Sequence, residues 1–255
     1  MNVLMMAALP FVYASNDPRV LYTPDDTATR NATVNAAGAR RIDVEAQAGS
    51  LRIEGRSGIT EVRVRGVARA SDAGDLDDIK LIADRNGDVV RIRADIPDNS
   101  WGNRYRALDL VIEVPDNIPL DVEDGSGDAE FVAVGALDLN DGSGEITIRD
   151  AKGMVRVEDG SGGVEIEKVT GDVEIDDGSG EIRIRDVQGS VLIDEDGSGS
   201  IDARGVTGAF RVRDDGSGSI NAEDVGGDLV VESDGSGGVR YRNVKGSIRV
   251  PKDAR

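Results

Sequence analysis

The tetrapeptide Asp-Gly-Ser-Gly occurs seven times in this chain, with its aspartates at Asp124, Asp141, Asp159, Asp177, Asp196, Asp215 and Asp234, 17 to 19 residues apart. A unit that short cannot enclose a core of its own. It must bury its apolar side against the units before and after it, which is how a solenoid of stacked coils works. The unit Asp177 to Glu195 reads DGSGEIRIRDVQGSVLIDE: a glycine-rich turn, an alternating strand, a second turn ending in glycine, and another alternating strand. Each coil therefore supplies two short strands and two corners.

Successive side chains of a strand point to opposite faces, so the alternation identifies the inside of the coil. The first strand contributes the inward columns Ile146, Val164, Ile182, Ile201, Ile220, Val239 and Ile148, Ile166, Ile184, Ala203, Ala222, Tyr241. The second contributes Val155, Val173, Val191, Phe210, Leu229, Ile248 and Val157, Ile175, Ile193, Val212, Val231, Val250. A corner column, Ala151, Val169, Val187, Val206, Val225 and Val244, completes an aliphatic rod. With aromatics at only 3% of the chain, a thin aliphatic core is the one this composition can fill. The outward columns give an independent check. Arg149, Glu167, Arg185, Arg204, Glu223, Arg242 and Thr147, Glu165, Arg183, Asp202, Asn221, Arg240 mostly alternate in sign, as parallel in-register stacking prefers. The fold expected is an all-β, parallel β-solenoid (β-helix) with two short strands per coil.

The rest of the chain divides around this rod. Residues 1–14 contain an apolar run, Val3 to Ala14, too short to span a bilayer, and Val12-Tyr13-Ala14 fits a signal-peptidase site; a secretory leader is expected. A polar N-terminal segment, 15–39, follows. Residues 40–120 read as a β-rich cap with irregular first coils, 121–250 as the regular solenoid, and 251–255 as a charged tail. Within the cap, Ile79 to Asp84 and Val89 to Ile96 flank Asn86-Gly87, a hairpin signal, and Leu108 to Val114 forms a further strand. Such a cap is needed because the terminal coil of a rod exposes apolar columns and unpaired edges.

The chain has no cysteine and no histidine, which removes disulfides, thiolate metal sites, imidazole general bases and Ser-His triads. Its net charge is −19, and residues 121–255 carry most of it, with 31 acids against 15 bases. That field disfavours nucleic acid and anionic lipid as partners. Two groups of residues stand out as candidate sites. One is the loop around Trp101, where Trp101, Arg104, Tyr105 and Arg106 combine aromatic and cationic side chains able to dock a sugar or peptide; the alternative is a plug over the rod's end. The other is the column of turn aspartates, Asp124, Asp141, Asp159, Asp177, Asp196, Asp215 and Asp234. As a turn, DGSG calls for two glycines at positive φ, with Asp and Ser side chains satisfying freed amides. As a ladder, carboxylates about 4.8 Å apart repel by about 0.9 kcal/mol per pair in water, which bound Ca²⁺ would relieve. Against calcium, the binding nonapeptides of calcium solenoids place Asp after the glycine turn, where this chain has Ile or Val, as in Gly180-Glu181-Ile182. No cofactor is expected apart from that ion. A solvated outer ladder would not supply the desolvated carboxyl that acid-base catalysis needs, so an enzyme that cuts polysaccharides is the remote alternative.

The loose first coil at Gly49 to Gly55, the stretch LDLVIEVPDNIPLDVEDGSG at Leu108 to Gly127, and the DGSG units together resemble the putative adhesin family of bacterial envelope proteins, over roughly residues 40 to 250. That resemblance implies a β-solenoid in an exported or envelope-associated protein without a catalytic motif. The expectation is a monomeric, non-enzymatic scaffold or adhesin-like module, with no transmembrane segment in the mature chain, that binds a surface, glycan or protein.

Overall fold

The computed structural model describes residues 26–97 and 105–252; the expected leader, most of the Trp101 loop and the last three residues lie outside them. The chain folds into two 11-stranded sheets packed face to face. Sheet A contains Ile146–Arg149, Val164–Val169, Ile182–Val187, Ile201–Val206, Gly218–Val225 and Gly237–Val244 in chain order. Sheet B contains Val155–Asp159, Val173–Asp177, Val191–Asp196, Phe210–Asp215, Leu229–Asp234 and Ile248–Arg249. Every pairing among these strands is parallel and in the expected register, for example Ile182↔Ile201 and Val191↔Phe210. The inward columns are buried as expected up to the last coil, where Tyr241 is 40% and Ile248 43% exposed because no further coil covers them.

The coils differ in length, and the fold absorbs the difference outside the core. Between Val173–Asp177 and Val191–Asp196 the register shifts by one residue after Ile175, so that Asp176 pairs with Glu195 and Asp177 with Asp196. This bulge lodges the extra residue of the 19-residue coils and returns the turn to register. At the opposite corner, Asp150, Lys168, Asp186, Asp224 and Asn243 all adopt left-handed backbone with φ between 54° and 58°, and Gly205 takes the same place at φ 74°. That kink turns the next residue inward, which is how Val169, Val187, Val206 and Val225 reach the core. Asp, Asn and Gly are the residues that tolerate this conformation best.

The DGSG turns are as regular as the strands. Only the second glycine has positive φ, from 126° to 158°. The expectation that both glycines need it is therefore corrected: the first is required by space alone. A Cβ on the first glycine would lie 2.3 to 2.6 Å from a main-chain oxygen of the coil before, and on the second 1.3 to 2.1 Å. The same contacts bring hydrogen bonds. The first glycine's N–H donates to the preceding coil's Asp carbonyl at 2.7 to 3.0 Å in the pairs from Gly142 to Gly235, and the second glycine's N–H donates to the next coil's Ser carbonyl at 2.8 to 3.1 Å. The turns thus continue the ladders of the two sheets around one edge of the rod.

The N-terminal cap begins earlier than expected, because Asp26–Asn35, inside the polar segment, forms the edge strand of sheet A and pairs antiparallel with Glu61–Ala70. Sheet B ends in the expected hairpin, Lys80–Asn86 with Val89–Asp95. Coil order here departs from chain order. Leu51–Arg56 lies between Ala129–Val132 and Arg106–Pro115, and Arg41–Glu45 between Leu120–Asp124 and Val89–Asp95. A 3-10 helix, Ala73–Asp78, closes the end, where the Arg30 guanidinium donates to the carbonyls of Leu76 (2.6 Å) and Ile79 (3.0 Å).

Two glycine substitutions separate the cost of φ from that of stacking. Gly58 has φ 76° and open space around its Cβ position, so Gly58→Ala is expected to cost about 1–2 kcal/mol. Gly180→Ala adds a clash at 1.3 Å with Gly162 O and is expected to cost more than about 4 kcal/mol, or to prevent folding; urea unfolding midpoints measure both.

Candidate functional site

In the shorter coils sequence alternation runs on to the end of the sheet B strand, so that Val155, Val157 and Asp159 are alternate residues, as are Val173, Ile175 and Asp177. In the 19-residue coils the bulge brings Asp196, Asp215 and Asp234 to the same position, one residue past Glu195, Asp214 and Ser233. The turn aspartates therefore face the core side. Their environment is not the solvated outer ladder expected. Asp177 and Asp196 are fully buried, and Asp124, Asp141, Asp159 and Asp215 are at most 6% exposed; only Asp234, at the last turn, is partly open. Alternation carried two residues further would have placed Asp124, Asp141, Asp159 and Asp177, but it points to Glu195 and Asp214 in the longer coils, and the glycine after each Asp invites reading the whole tetrapeptide as exposed loop.

Few partners meet these carboxyls. Asp159 and Asp177 each accept one main-chain hydrogen bond from the serine of their own turn, at 3.1 and 3.0 Å, and their other oxygens are buried without a partner. Both carboxyl oxygens of Asp124, Asp141, Asp196 and Asp215 are buried without a hydrogen bond. The turn serines contribute main-chain groups to the stack, and none of their hydroxyls makes a hydrogen bond among the described residues.

Burial disfavours the charged form, and each ionised neighbour along the column disfavours it further. Burial, then the charge of Asp141, pushes Asp124 up to about 7. Burial, then Asp177 and Asp215, pushes Asp196 up to about 7. Asp159, Asp177 and Asp215 are pushed up to about 6, chiefly by burial, and Asp141 is raised for the same reason. Turn N–H groups oppose the shift; around Asp124 and Asp141 they are too poorly aligned to count as hydrogen bonds. After burial, the charge of Asp234 is the next largest cause of the raise at Asp215. The column is a line of closely stacked, partly protonated carboxyls inside the rod.

Among the described residues, no three acidic groups converge in a way that could hold a metal ion. Access is also restricted, since six of the carboxyls are at most 6% exposed, although Asp124 borders an open recess with Gln47, Glu123 and Asn140. Carboxyls with raised pKa often mark catalytic sites, but a catalytic group must reach its substrate. Burial, and not the solvation expected from the sequence, keeps these carboxyls from a substrate.

The Trp101 loop divides differently. Trp101 and Arg104 lie outside the described residues. Tyr105 is 51% exposed, and its carbonyl accepts from Ser71 N–H at 3.1 Å. Arg106 is not in an open loop: it begins the strand Arg106–Pro115 and pairs with the buried Asp75 at 2.9 Å, the two side chains 14% and 8% exposed. It fastens the 3-10 helix to sheet A.

No family model matches the chain, and no curated protein matches it. Among solved structures, a "putative adhesin" from Bacteroides fragilis is similar over 88% of this chain and 96% of its own, with a TM-score of 0.53 and 16% identity. A "putative lipid binding protein" from Parabacteroides distasonis is similar over 89% and 97%, with a TM-score of 0.42 and 14% identity. The first of these shows that the fold, over 88% of this chain, is one already seen in a bacterial protein.

The column fixes the sign of the pH dependence. A carboxyl whose pKa is higher folded than unfolded contributes most below its unfolded pKa, near 4, and that contribution is lost as pH rises through 6 to 7. With no histidine in the chain, no side chain of ordinary pKa competes in that window. The urea midpoint is expected to rise from pH 8 to pH 5. Asp196→Asn, which removes one charge without changing shape, is expected to be more stable than the parent at pH 8 and to lose that advantage at pH 5.

Proposed function

We propose that this chain is an exported, non-enzymatic β-solenoid that serves as a rigid, adhesin-like binding scaffold of the bacterial cell envelope or surface. The carrying observation is the division of the rod into a sealed interior and two regular outer faces. The carboxyls whose pKa is raised lie inside the stack, and what solvent meets is a pair of strand faces bearing charged ladders. Such faces suit recognition of an extended ligand by many shallow contacts. The apolar run ending at Val12-Tyr13-Ala14 supports export, and the adhesin name of the Bacteroides fragilis structure supports a surface role. No helix among the described residues is long and apolar enough to cross a membrane. In this reading DGSG serves the architecture, and protons, with no need of calcium, neutralise its aspartates.

Expression of the full chain in a Gram-negative host tests export: a product shortened at its N-terminus and recovered outside the cytoplasm is expected. Purified material should sediment with isolated cell envelopes and release no sugar from a polysaccharide panel. Retention of the whole chain in the cytoplasm would contradict export. Sugar release abolished by a single Asp→Asn change would contradict the non-enzymatic reading. Thermal unfolding in EDTA and in millimolar Ca²⁺, with Mg²⁺ as control, is expected to give the same midpoint; a calcium-specific rise would make the column a metal ladder.

A further inference from the structure

We propose that the outer face of sheet A over its last four coils is a binding site for an anionic glycan whose sugars carry carboxylates. The proposal rests on the envelope-binding reading above and names the face and the ligand chemistry it left open.

The position of positive charge carries the argument. The solenoid half of the chain is strongly acidic, yet a shallow groove of about 360 Å³ on this face is lined by five arginines, Arg183, Arg185, Arg204, Arg240 and Arg242, against two acids, Asp202 and Glu223. The register shows how the groove arises. One outward column across the four strands is Arg183↔Asp202↔Asn221↔Arg240, so two short side chains form a floor between two long cationic ones. Three coil steps at sheet spacing set those arginines about 14 Å apart at the main chain. The parallel column is Arg185↔Arg204↔Glu223↔Arg242.

That second column breaks the alternation of sign. Arg185 and Arg204 are direct cross-strand neighbours, an arrangement that repels. The two side chains pair in opposite directions, Arg185 with Glu165 at 3.0 Å and Arg204 with Glu223 at 2.9 Å, and Glu223 is shared with Arg242 at 2.8 Å. One carboxylate thus serves two guanidiniums. The side chains of Arg240, Asp202 and Asn221 have no hydrogen bond or ion pair among the described residues. The groove therefore offers unspent donors at Arg240, a donor and acceptor at Asn221, and an acceptor at Asp202.

This mixture selects among anions. Guanidinium takes a carboxylate in a planar, two-bonded fork. Asp202 and Asn221 match hydroxyl groups, which a sugar presents on either side of its carboxylate. A nucleic acid has denser charge, and it would meet the Asp202 carboxylate and the −19 field of the whole chain with few hydroxyls to offer in return. A sugar ring and one coil of the rod are similar in length, so an oligosaccharide lying across the strands would present successive sugars to successive coils.

Isothermal titration of the full chain with a tetramer of galacturonic acid, and with its methyl ester, tests the proposal. Binding is expected for the acid alone, weakening as sodium chloride is raised. Arg183→Gln with Arg240→Gln is expected to weaken it tenfold or more with an unchanged unfolding midpoint, whereas Arg211→Gln on sheet B leaves it unaltered. Equal affinity for the ester, equal affinity for single-stranded DNA, or an unaffected double variant would each overturn the assignment. If the tetramer fails to bind while the chain still sediments with envelopes, this site falls and the envelope reading stands. If neither binds, both fall.

Discussion

The close approach of one turn to the next governs this structure. At the second glycine of each DGSG, the preceding coil's carbonyl oxygen occupies the place a Cβ would take, as close as 1.3 Å at Gly180. Two main-chain hydrogen bonds, one from each glycine, tie every such corner before the last to its neighbours. A corner built this way cannot slip by a residue, because slipping would put a side chain where only hydrogen fits. The strands on either side inherit its register, and the aliphatic columns follow from the register. The bulge after Ile175 shows the priority: when a coil gains a residue, the strand distorts and the turn does not.

The same stacking brings the aspartates inside. Each sits at the last inward position of its sheet B strand, immediately before the turn, and its neighbours one coil away are aspartates too. Unpaired buried carboxylates at that spacing would be costly if all were ionised. Raised pKa values remove the difficulty by letting some hold protons. The outer faces are left free for recognition. Surface ion pairs there are weak individually, and their order matters for register and for what the face attracts more than for stability.

Much of this was legible in the sequence, because period-2 alternation and a fixed repeat are local signals. Columns such as Ile182, Ile201 and Ile220 could be assigned by counting, and Asn86-Gly87 marked a hairpin without tertiary information. What escaped had non-local causes or broke the count. The aspartates were misplaced because the glycines after them read as loop, although Val157 and Asp159 share a face. The left-handed corner was legible only in part, from Asp, Asn and Gly recurring before the Val column. The reordering that slips Leu51–Arg56 between Ala129–Val132 and Arg106–Pro115 leaves no mark in composition or period. Arg106 looked like part of a binding loop because its partner, Asp75, lies 31 residues away. The basic groove on sheet A needed the register: Arg185 and Arg204 are neighbours only once the coils are stacked.

The DGSG aspartates are buried in the rod, and their raised pKa values leave some of them protonated near neutral pH. Carbon-13 NMR of the full chain, labelled at the aspartate carboxyls and titrated from pH 9 to pH 3, tests it most directly. A group of carboxyl signals with midpoints between about 6 and 7, well above the ordinary value near 4, is expected, and one of them should vanish in Asp196→Asn. If every aspartate titrates near 4, or if millimolar Ca²⁺ shifts the same signals at pH 7 while Mg²⁺ does not, the column is solvated or metal-bound and the account is wrong.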